Sequence, residues 1–597
     1  MKQNYSICPH CGCGCGLYLV SDEGRPSGIT ASQEHHFAQG QLCARGWTSY
    51  QLLAAEKAVR VPLYKKNGTK AEISWDKALE QAGKKLKAVK DKHGAKSIGV
   101  IASPRLTNQE ALALRWFARE VLETPNADSG ARFSAWPQEF PRPASYADLE
   151  KSDFIMVCGA PLLEENPILG ARVMSLCKPE ADRPYSSPDL DHVIPAKPAG
   201  LAVVDSRRSS LSDLAVPFLK AAPGSEAQVM AALLKMLIER HQLESKEAAF
   251  RKTKDSLAKQ SWEALLAGTG VTVPAVEQLA SRLASAKAPL MIAGRNLLLG
   301  QNPGLALTSV YGLSQLLSGK MPVLQALAGA NDWGCARILN PEAGLGYGQM
   351  IKTLKAGELK ALVLVGEDPL KTMGDREGTV KALQNAETVL VFDSFVSECH
   401  EYAEAVLPLL TSYQKEGSYY NLEGKLQEFK AAAAAESGAL TLPEALKSMA
   451  QAMGVKALPK QEELPPLPPA GYEALSYSAG NADDEPYLLE LGTAYPHLYG
   501  GEQLTLNSYH LRREFTGGYL EMHPDDIKEI GARPGWKVKV SSKHGTMAVT
   551  VKANPDQARK TAFMPVHFGG QELASPGCDQ AARTPAQRGI PVKIEKT

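Results

Sequence analysis

Cys8-Pro-His-Cys-Gly-Cys-Gly-Cys-Gly-Leu-Tyr18, answered further on by Gly40-Gln-Leu-Cys-Ala-Arg-Gly46, decides how this chain is read. Its cysteines fall as C-x2-C-x3-C-x27-C through Cys8, Cys11, Cys15 and Cys43. Closely spaced thiols on a turning backbone supply three corners of an iron–sulfur cluster, and a distant fourth closes it. Gly12, Gly14 and Gly16 let the backbone wrap closely and turn its N–H groups toward sulfur. Cys13 falls inside the three-residue gap and reads as a spare thiol that points elsewhere. Spacing alone leaves a four-cysteine zinc site open, because C-x2-C pairs serve both metals.

The rest of the chain sets the context. Five of the ten cysteines lie in the first 43 residues, and Cys158, Cys177, Cys335, Cys399 and Cys578 are scattered. One dense cluster in a long chain argues for a metal site, not a disulfide framework. The 597 residues are too many for one core, so several domains are expected. A net charge of +1 gives no reason to expect nucleic-acid binding. No apolar run approaches the ~18–20 residues of a membrane span, and the first eight residues carry no export signal. The expectation is a cytoplasmic protein with no direct membrane insertion.

Strand-like and helix-like segments alternate through the middle of the chain. Ser97–Ala102 precedes an apolar helical pattern over Asn108–Glu123, and Phe154–Gly159 precedes Ile168–Leu176. The pairing recurs at Leu201–Asp205, Pro289–Gly294 and Ala361–Gly366. Continuous apolar strands between helices predict α/β architecture with two doubly wound parallel-sheet domains. The proline-rich stretch Ala457–Ala470 reads as a linker, and the five-alanine run Ala431–Ala435 as a helix or spacer. Trp536–Ser541 and Met547–Lys552 alternate around Lys543-His-Gly545, which predicts a hairpin in a C-terminal β-barrel. The expected boundaries are 1–60 for a cluster domain, 61–150 with 340–456 for a discontinuous first α/β domain and 151–339 for a second. A linker over 457–486 and a barrel over 487–597 complete the order.

The cysteine stretch closely resembles the N-terminal cluster segment of the molybdopterin oxidoreductases, in particular the formate dehydrogenase branch. The resemblance implies a [4Fe–4S] cluster on Cys8, Cys11, Cys15 and Cys43. It places Arg45 between that cluster and a pterin. Further segments match in order. Cys158-Gly-Ala-Pro-Leu-Leu-Glu-Glu-Asn-Pro167 resembles G-x-N-x-x-E-x-H-P through Gly159, Glu164 and Pro167. Val203-Val-Asp-Ser-Arg207 resembles the strand-ending D-P-R, so that Asp205 and Arg207 would contact a pterin guanosine nucleotide. Ala222-Pro-Gly-Ser-Glu226 resembles a P-G-T-D turn, with Gly224 in the turn and Glu226 as the guanine acceptor. Gly366-Glu-Asp-Pro369 resembles G-x-N-P at a second nucleotide site, which assigns Gly366, Glu367 and Asp368. Glu416-Gly-Ser-Tyr-Tyr-Asn421 and Glu423-Gly-Lys-Leu-Gln427 match further family segments. The implied cofactors are the cluster and bis-molybdopterin guanine dinucleotide with molybdenum or tungsten, in a pterin cavity formed by the two α/β domains. The implied partners are other iron–sulfur or flavin subunits.

The family's chemistry is altered at two places. Gly130-Ala-Arg-Phe-Ser-Ala135 corresponds to C-A-R-x-[Cys or Sec]-H, so Ser134 takes the metal-ligand position and Ala135 the histidine position. An alcohol is a harder, less acidic ligand than a thiol, and the missing histidine removes a proton acceptor. Leu327-Ala-Gly-Ala-Asn331 puts Ala328 where the family's formate-anchoring arginine stands. Without that cation a one-carbon carboxylate loses most of its recognition. Two readings follow. One is a working oxidoreductase with Ser134 at the metal and Arg132 facing substrate. The other is an electron-relay subunit without molybdenum or tungsten, like the large iron–sulfur subunit of complex I.

Overall fold

The computed structural model describes residues 1–597 except 67, 138–139, 180–197, 247, 318–319, 341–342, 436–437, 456–484, 499–501, 515–516, 576–583 and 585. The proline-rich stretch expected as a linker therefore lies outside the described residues. The chain forms two compact units, the first from the described residues of 1–135, 328–466 and 496–516, the second from those of 136–327, 467–495 and 517–597.

The first unit begins with a three-stranded antiparallel sheet of Lys2–Ile7, Gly16–Asp22 and Arg25–Ala31. Pairing of Ile7 with Gly16 brings both ends of the 8–15 loop together. A seven-stranded sheet follows. Its spatial order is Thr69–Glu72, Leu63–Lys66, Ala405–Pro408, Thr388–Asp393, Ala361–Val365, Ile98–Ala102 and Ala127–Ser129. The last five pair in parallel, and every residue of Ile98–Ala102, Ala361–Val365 and Thr388–Asp393 is buried. Burial on both faces is why these strands read as unbroken apolar runs.

Helix Trp75–His93 buries Ala78, Leu79, Ala82, Leu86 and Val89 on one face. Helix Asn108–Trp116 starts at a capping box in which the Thr107 side chain accepts from the Glu110 N–H and the Glu110 carboxylate accepts from the Thr107 N–H. The helical pattern expected through Glu123 changes pitch at Phe117–Val121, which is a π-turn. The alanine run expected as a helix or spacer is irregular: Ala432 donates to the Tyr413 carbonyl and accepts from Asn4 Nδ2.

The second unit contains a five-stranded parallel sheet. Its order is Phe218–Lys220, Gly200–Asp205, Phe154–Cys158, Pro289–Gly294 and Val323–Ala326. Helix Glu226–Glu239 is buried along nearly its whole length in the same core as helix Pro303–Leu316. A closed six-stranded barrel completes the unit from Tyr487–Gly492, Thr561–Pro565, Tyr519–Met522, Thr546–Ala553, Lys537–Ser541 and Arg588–Lys596. The expected hairpin is present, with Val538 opposite Val549 and Val540 opposite Met547. Arg588–Lys596 closes the barrel by pairing with strands on both sides. Among the described residues no helix is long and apolar enough to cross a membrane.

Candidate cluster site and nucleotide clefts

The 8–15 loop turns back on itself. The Cys8 N–H donates to the Cys15 carbonyl at 2.9 Å and the Gly14 N–H to the Cys11 carbonyl at 3.3 Å. Gly14 sits at φ +58°, and a Cβ there would lie 2.0 Å from Gln427 Oε1. Gln427 Nε2 donates to the Gly14 carbonyl at 3.1 Å, and the Leu422 N–H donates to the Gly12 carbonyl at 2.9 Å. The segment from Leu422 to Gln427 thus holds the cysteine loop in place. Cys8, Cys11 and Cys15 are buried, and Cys43 stands half-buried at the N-terminal cap of helix Ala44–Thr48.

The four thiols are close enough to govern one another's charge. Burial pushes the Cys8 thiol up, and Cys43 and Cys11 add to it. A hydrogen bond with Cys13 holds the Cys15 thiol down, yet burial with Cys8, Cys11 and Cys43 raises it overall to about 11. Arg45 opposes the rise at Cys8 and Cys11, and its side chain is 0% exposed. Cys13 does not point elsewhere: it is fully buried, and its thiol meets those of Cys11 and Cys15. A spare thiol between two others in a tight loop has little space to turn away. Among the described residues no group of three or more His, Cys, Asp or Glu side chains closes around a single metal ion.

The two altered positions meet in space. The Ala328 N–H donates to Ser134 Oγ at 2.8 Å, and Ser134 is buried. Arg132 grips Asp128 through two hydrogen bonds, at 2.7 Å from Nε and 2.9 Å from Nη2. It also reaches Asn340 Oδ1 at 3.4 Å. The guanidinium expected to face substrate is therefore engaged with a carboxylate.

A cleft in the first unit is lined by Gly366, Glu367 and Asp368, with Arg105, Lys371 and Lys415 as its cations. Gly366 follows strand Ala361–Val365 at φ +63°. Glu367 accepts from the Tyr347 hydroxyl at 3.2 Å. Asp368 caps helix Pro369–Thr372 by accepting from the Leu370 N–H, and its other oxygen accepts from Glu398 N–H. Burial raises Asp368 to about 6 against those bonds. Arg105 Nη2 lies 3.4 Å from the His10 carbonyl and 3.5 Å from that of Ala328. Motif reading passes over this arginine; its place between strand Ile98–Ala102 and a capped helix is the signal that marks it.

A smaller cleft in the second unit is lined by Glu164, Asp205, Arg207 and Asn296, among others. Burial pushes Glu164 up to about 7, against the nearby Arg207. Arg207 lies over the Phe563 ring, 3.5 Å from its centroid, and 3.7 Å from Glu521. Gly159, at φ +55°, packs so closely that a Cβ would meet Leu297 at 2.9 Å. Glu226 is not among the residues lining this cleft. It is 1% exposed, with Oε1 2.8 Å from Arg588 Nη2. Burial pushes its carboxyl up to about 8 even with Arg588 beside it. Gly224, at φ +82°, is covered by the chain itself: a Cβ there would lie 2.6 Å from the Arg588 carbonyl oxygen. No motif in the sequence marks Glu490 or Arg588.

These features define an iron–sulfur molybdopterin protein, and comparison with known proteins agrees. Residues 59–439 match the molybdopterin oxidoreductase family, residues 1–55 its Fe4S4 domain, and residues 496–591 the molydopterin dinucleotide binding domain. The chain belongs to the molybdopterin oxidoreductase family. Its Fe4S4 and dinucleotide-binding domains identify a [4Fe–4S] cluster and a molybdopterin dinucleotide as the cofactors of this fold. It is 25% identical to F420-dependent formate dehydrogenase 1 subunit alpha of Methanococcus maripaludis, over 99% of each chain. It is also 25% identical to a subunit of NADH-quinone oxidoreductase from Rhizobium meliloti, over 96% of this chain and 71% of that one. Acetylene hydratase from Pelobacter acetylenicus shares the fold, with a TM-score of 0.79, 17% identity and complete coverage of both chains.

Proposed function

We propose that this chain is a formate dehydrogenase-like subunit of a multi-subunit redox complex, and that it passes electrons through a [4Fe–4S] cluster ligated by Cys8, Cys11, Cys15 and Cys43. The observation that carries the reading is the 8–15 loop, which buries Cys8, Cys11 and Cys15 and is closed by the hydrogen bond from the Cys8 N–H to the Cys15 carbonyl, in the segment that matches the Fe4S4 domain. Burial disfavours a bare thiolate, so the positive charge of bound iron would hold the ligands ionised. Arg45 adds a permanent charge that favours the reduced, more negative cluster. A single cluster stores too little to complete a two-electron reaction alone, which calls for iron–sulfur or flavin partner subunits.

In the first unit Gly366, Glu367 and Asp368 would receive the nucleotide end of the dinucleotide, and Arg105 would meet its phosphates, Lys371 and Lys415 being paired with Glu398 and Glu110. When bound, the molybdopterin group supplies the redox-active metal. The chain's own contribution is to bind and orient it.

The contact between Ser134 and Ala328 favours a second reading, in which the subunit relays electrons and carries neither molybdenum nor tungsten. The Ser134 hydroxyl is occupied by the main-chain N–H of Ala328, and Arg132 is committed to Asp128. Both readings disfavour formate as the substrate. Metal and pterin analysis of the purified protein separates them. Iron with stoichiometric molybdenum or tungsten and pterin supports the enzyme, and iron alone supports the relay.

A further inference from the structure

We propose that Arg588 closes the nucleotide site of the second unit to guanine, taking the base's place against Glu226 and Asp205, so that the chain carries one guanosine and not two. The inference rests on the cofactor reading above.

The guanidinium sits at the centre of the contact. Arg588 is 0% exposed, and its Nη2 lies 2.8 Å from Glu226, 2.9 Å from Glu490 and 3.6 Å from Asp205. It also donates to Ser206 Oγ at 2.6 Å, and Ser206 in turn donates to Glu490 at 2.5 Å. A guanine base offers a carboxylate the N–H donors of N1 and of its amino group, side by side in one plane. The guanidinium meets the same carboxylate by charge: the hydrogen bonds from Nη2 go to Ser206 and Glu490, and neither Glu226 oxygen accepts one among the described residues. The two are chemical competitors for one carboxylate, and the arginine is tethered to the fold.

The backbone closes the same place independently. The turn at Pro223-Gly224 is the element expected to approach a nucleotide, and Arg588-Gly589 packs directly on it. A Cβ on Gly224 would lie 2.6 Å from the Arg588 carbonyl oxygen, and one on Gly589 would lie 2.5 Å from that of Pro223. Gln301 Nε2 fixes this contact by donating to the carbonyls of Arg588 at 2.6 Å and Gly589 at 2.7 Å. For a base to reach Glu226, strand Arg588–Lys596 would have to leave the turn and the barrel would have to open at that strand. Asp205 and Glu490 line the cleft, whereas Glu226 and Arg588 are not among its lining residues.

The test counts guanosine released by acid from the purified iron-loaded protein, beside iron, in the wild type and in Glu226→Gln. The proposal expects about one guanosine per four irons, with the same count in E226Q. Two guanosines in the wild type, or loss of one in E226Q, would overturn it. The wild-type count alone is decisive if the variant folds poorly. A protein with no guanosine refutes the cofactor reading instead, and it is then titrated with GDP. No GDP binding, or an affinity unmoved by E226Q, supports the closed site. A weakening of more than about tenfold in E226Q contradicts it.

Discussion

Replacing Arg588 by methionine removes a cation that three buried carboxylates share. Glu226, Glu490 and Asp205 lie within 3.6 Å of Nη2, and none of the three side chains is more than 10% exposed. Breaking a buried ion pair from one side destabilises by about 3–5 kcal/mol, because the remaining charge is stranded in a medium that solvates it poorly. Methionine keeps much of the apolar stem, so lost packing adds little. With a denaturant slope of about 3 kcal/mol per molar urea, the midpoint falls by roughly 1–1.7 M.

The effect carries a pH signature. Burial pushes the Glu226 carboxyl up to about 8, and a protonated carboxyl needs no counterion. Arg588 holds that carboxyl down, so Arg588→Met raises it further, and the loss grows as pH rises through about 8 and above. Hydrogen exchange across a urea series, read on peptides from helix Glu226–Glu239, isolates the second unit's transition. A shift below about 0.3 M, which is roughly 1 kcal/mol at that slope, or an effect that shrinks as pH rises, would refute the reasoning.

Three other outcomes are expected. Arg45→Gln moves the cluster potential to more negative values, since a positive charge near the reduced state is lost; about 59 mV corresponds to 1.4 kcal/mol for one electron, and redox titration followed by EPR checks the direction. Cys13→Ser keeps about four irons per chain and Cys15→Ser does not, measured by iron analysis, because Cys13 touches the ligand thiols without holding a place in the motif. The Glu164 carboxyl is raised to about 7 by burial, so its stabilising contribution is complete below its unfolded value of about 4.5 and is lost as pH rises toward 7. Glu164→Gln should flatten that part of the stability profile, and an unchanged slope in urea unfolding counts against the assignment.

The parts of this protein that are local in sequence are legible in it. Cys8, Cys11 and Cys15 sit within one loop, and the apolar runs at Ala361–Val365 and Thr388–Asp393 announce strands buried on both faces. The π-turn at Phe117–Val121 leaves no trace, because its apolar residues still fall on a helical stripe. The site residues are legible as positions but not as partners. Asp205 and Glu226 stand out at a strand end and a glycine turn, yet what they meet depends on Arg588. That residue contacts Ser206 across 382 positions and is preceded by nothing that marks it. Ser134 and Ala328 each read as a separate substitution, and only folding across 194 positions makes them one contact. Arg132 reads as facing substrate because Asp128, four positions earlier, looks like an ordinary strand residue until the two side chains are seen to pair.

The cysteine loop is the centre of the proposed function. Low-temperature EPR of the dithionite-reduced protein, with iron and zinc determined on the same sample, tests it most directly. The prediction is about four irons per chain and the S = 1/2 signal of a reduced [4Fe–4S] cluster, both abolished by Cys8→Ser. Stoichiometric zinc with no iron and no signal, in protein purified without air, would contradict it.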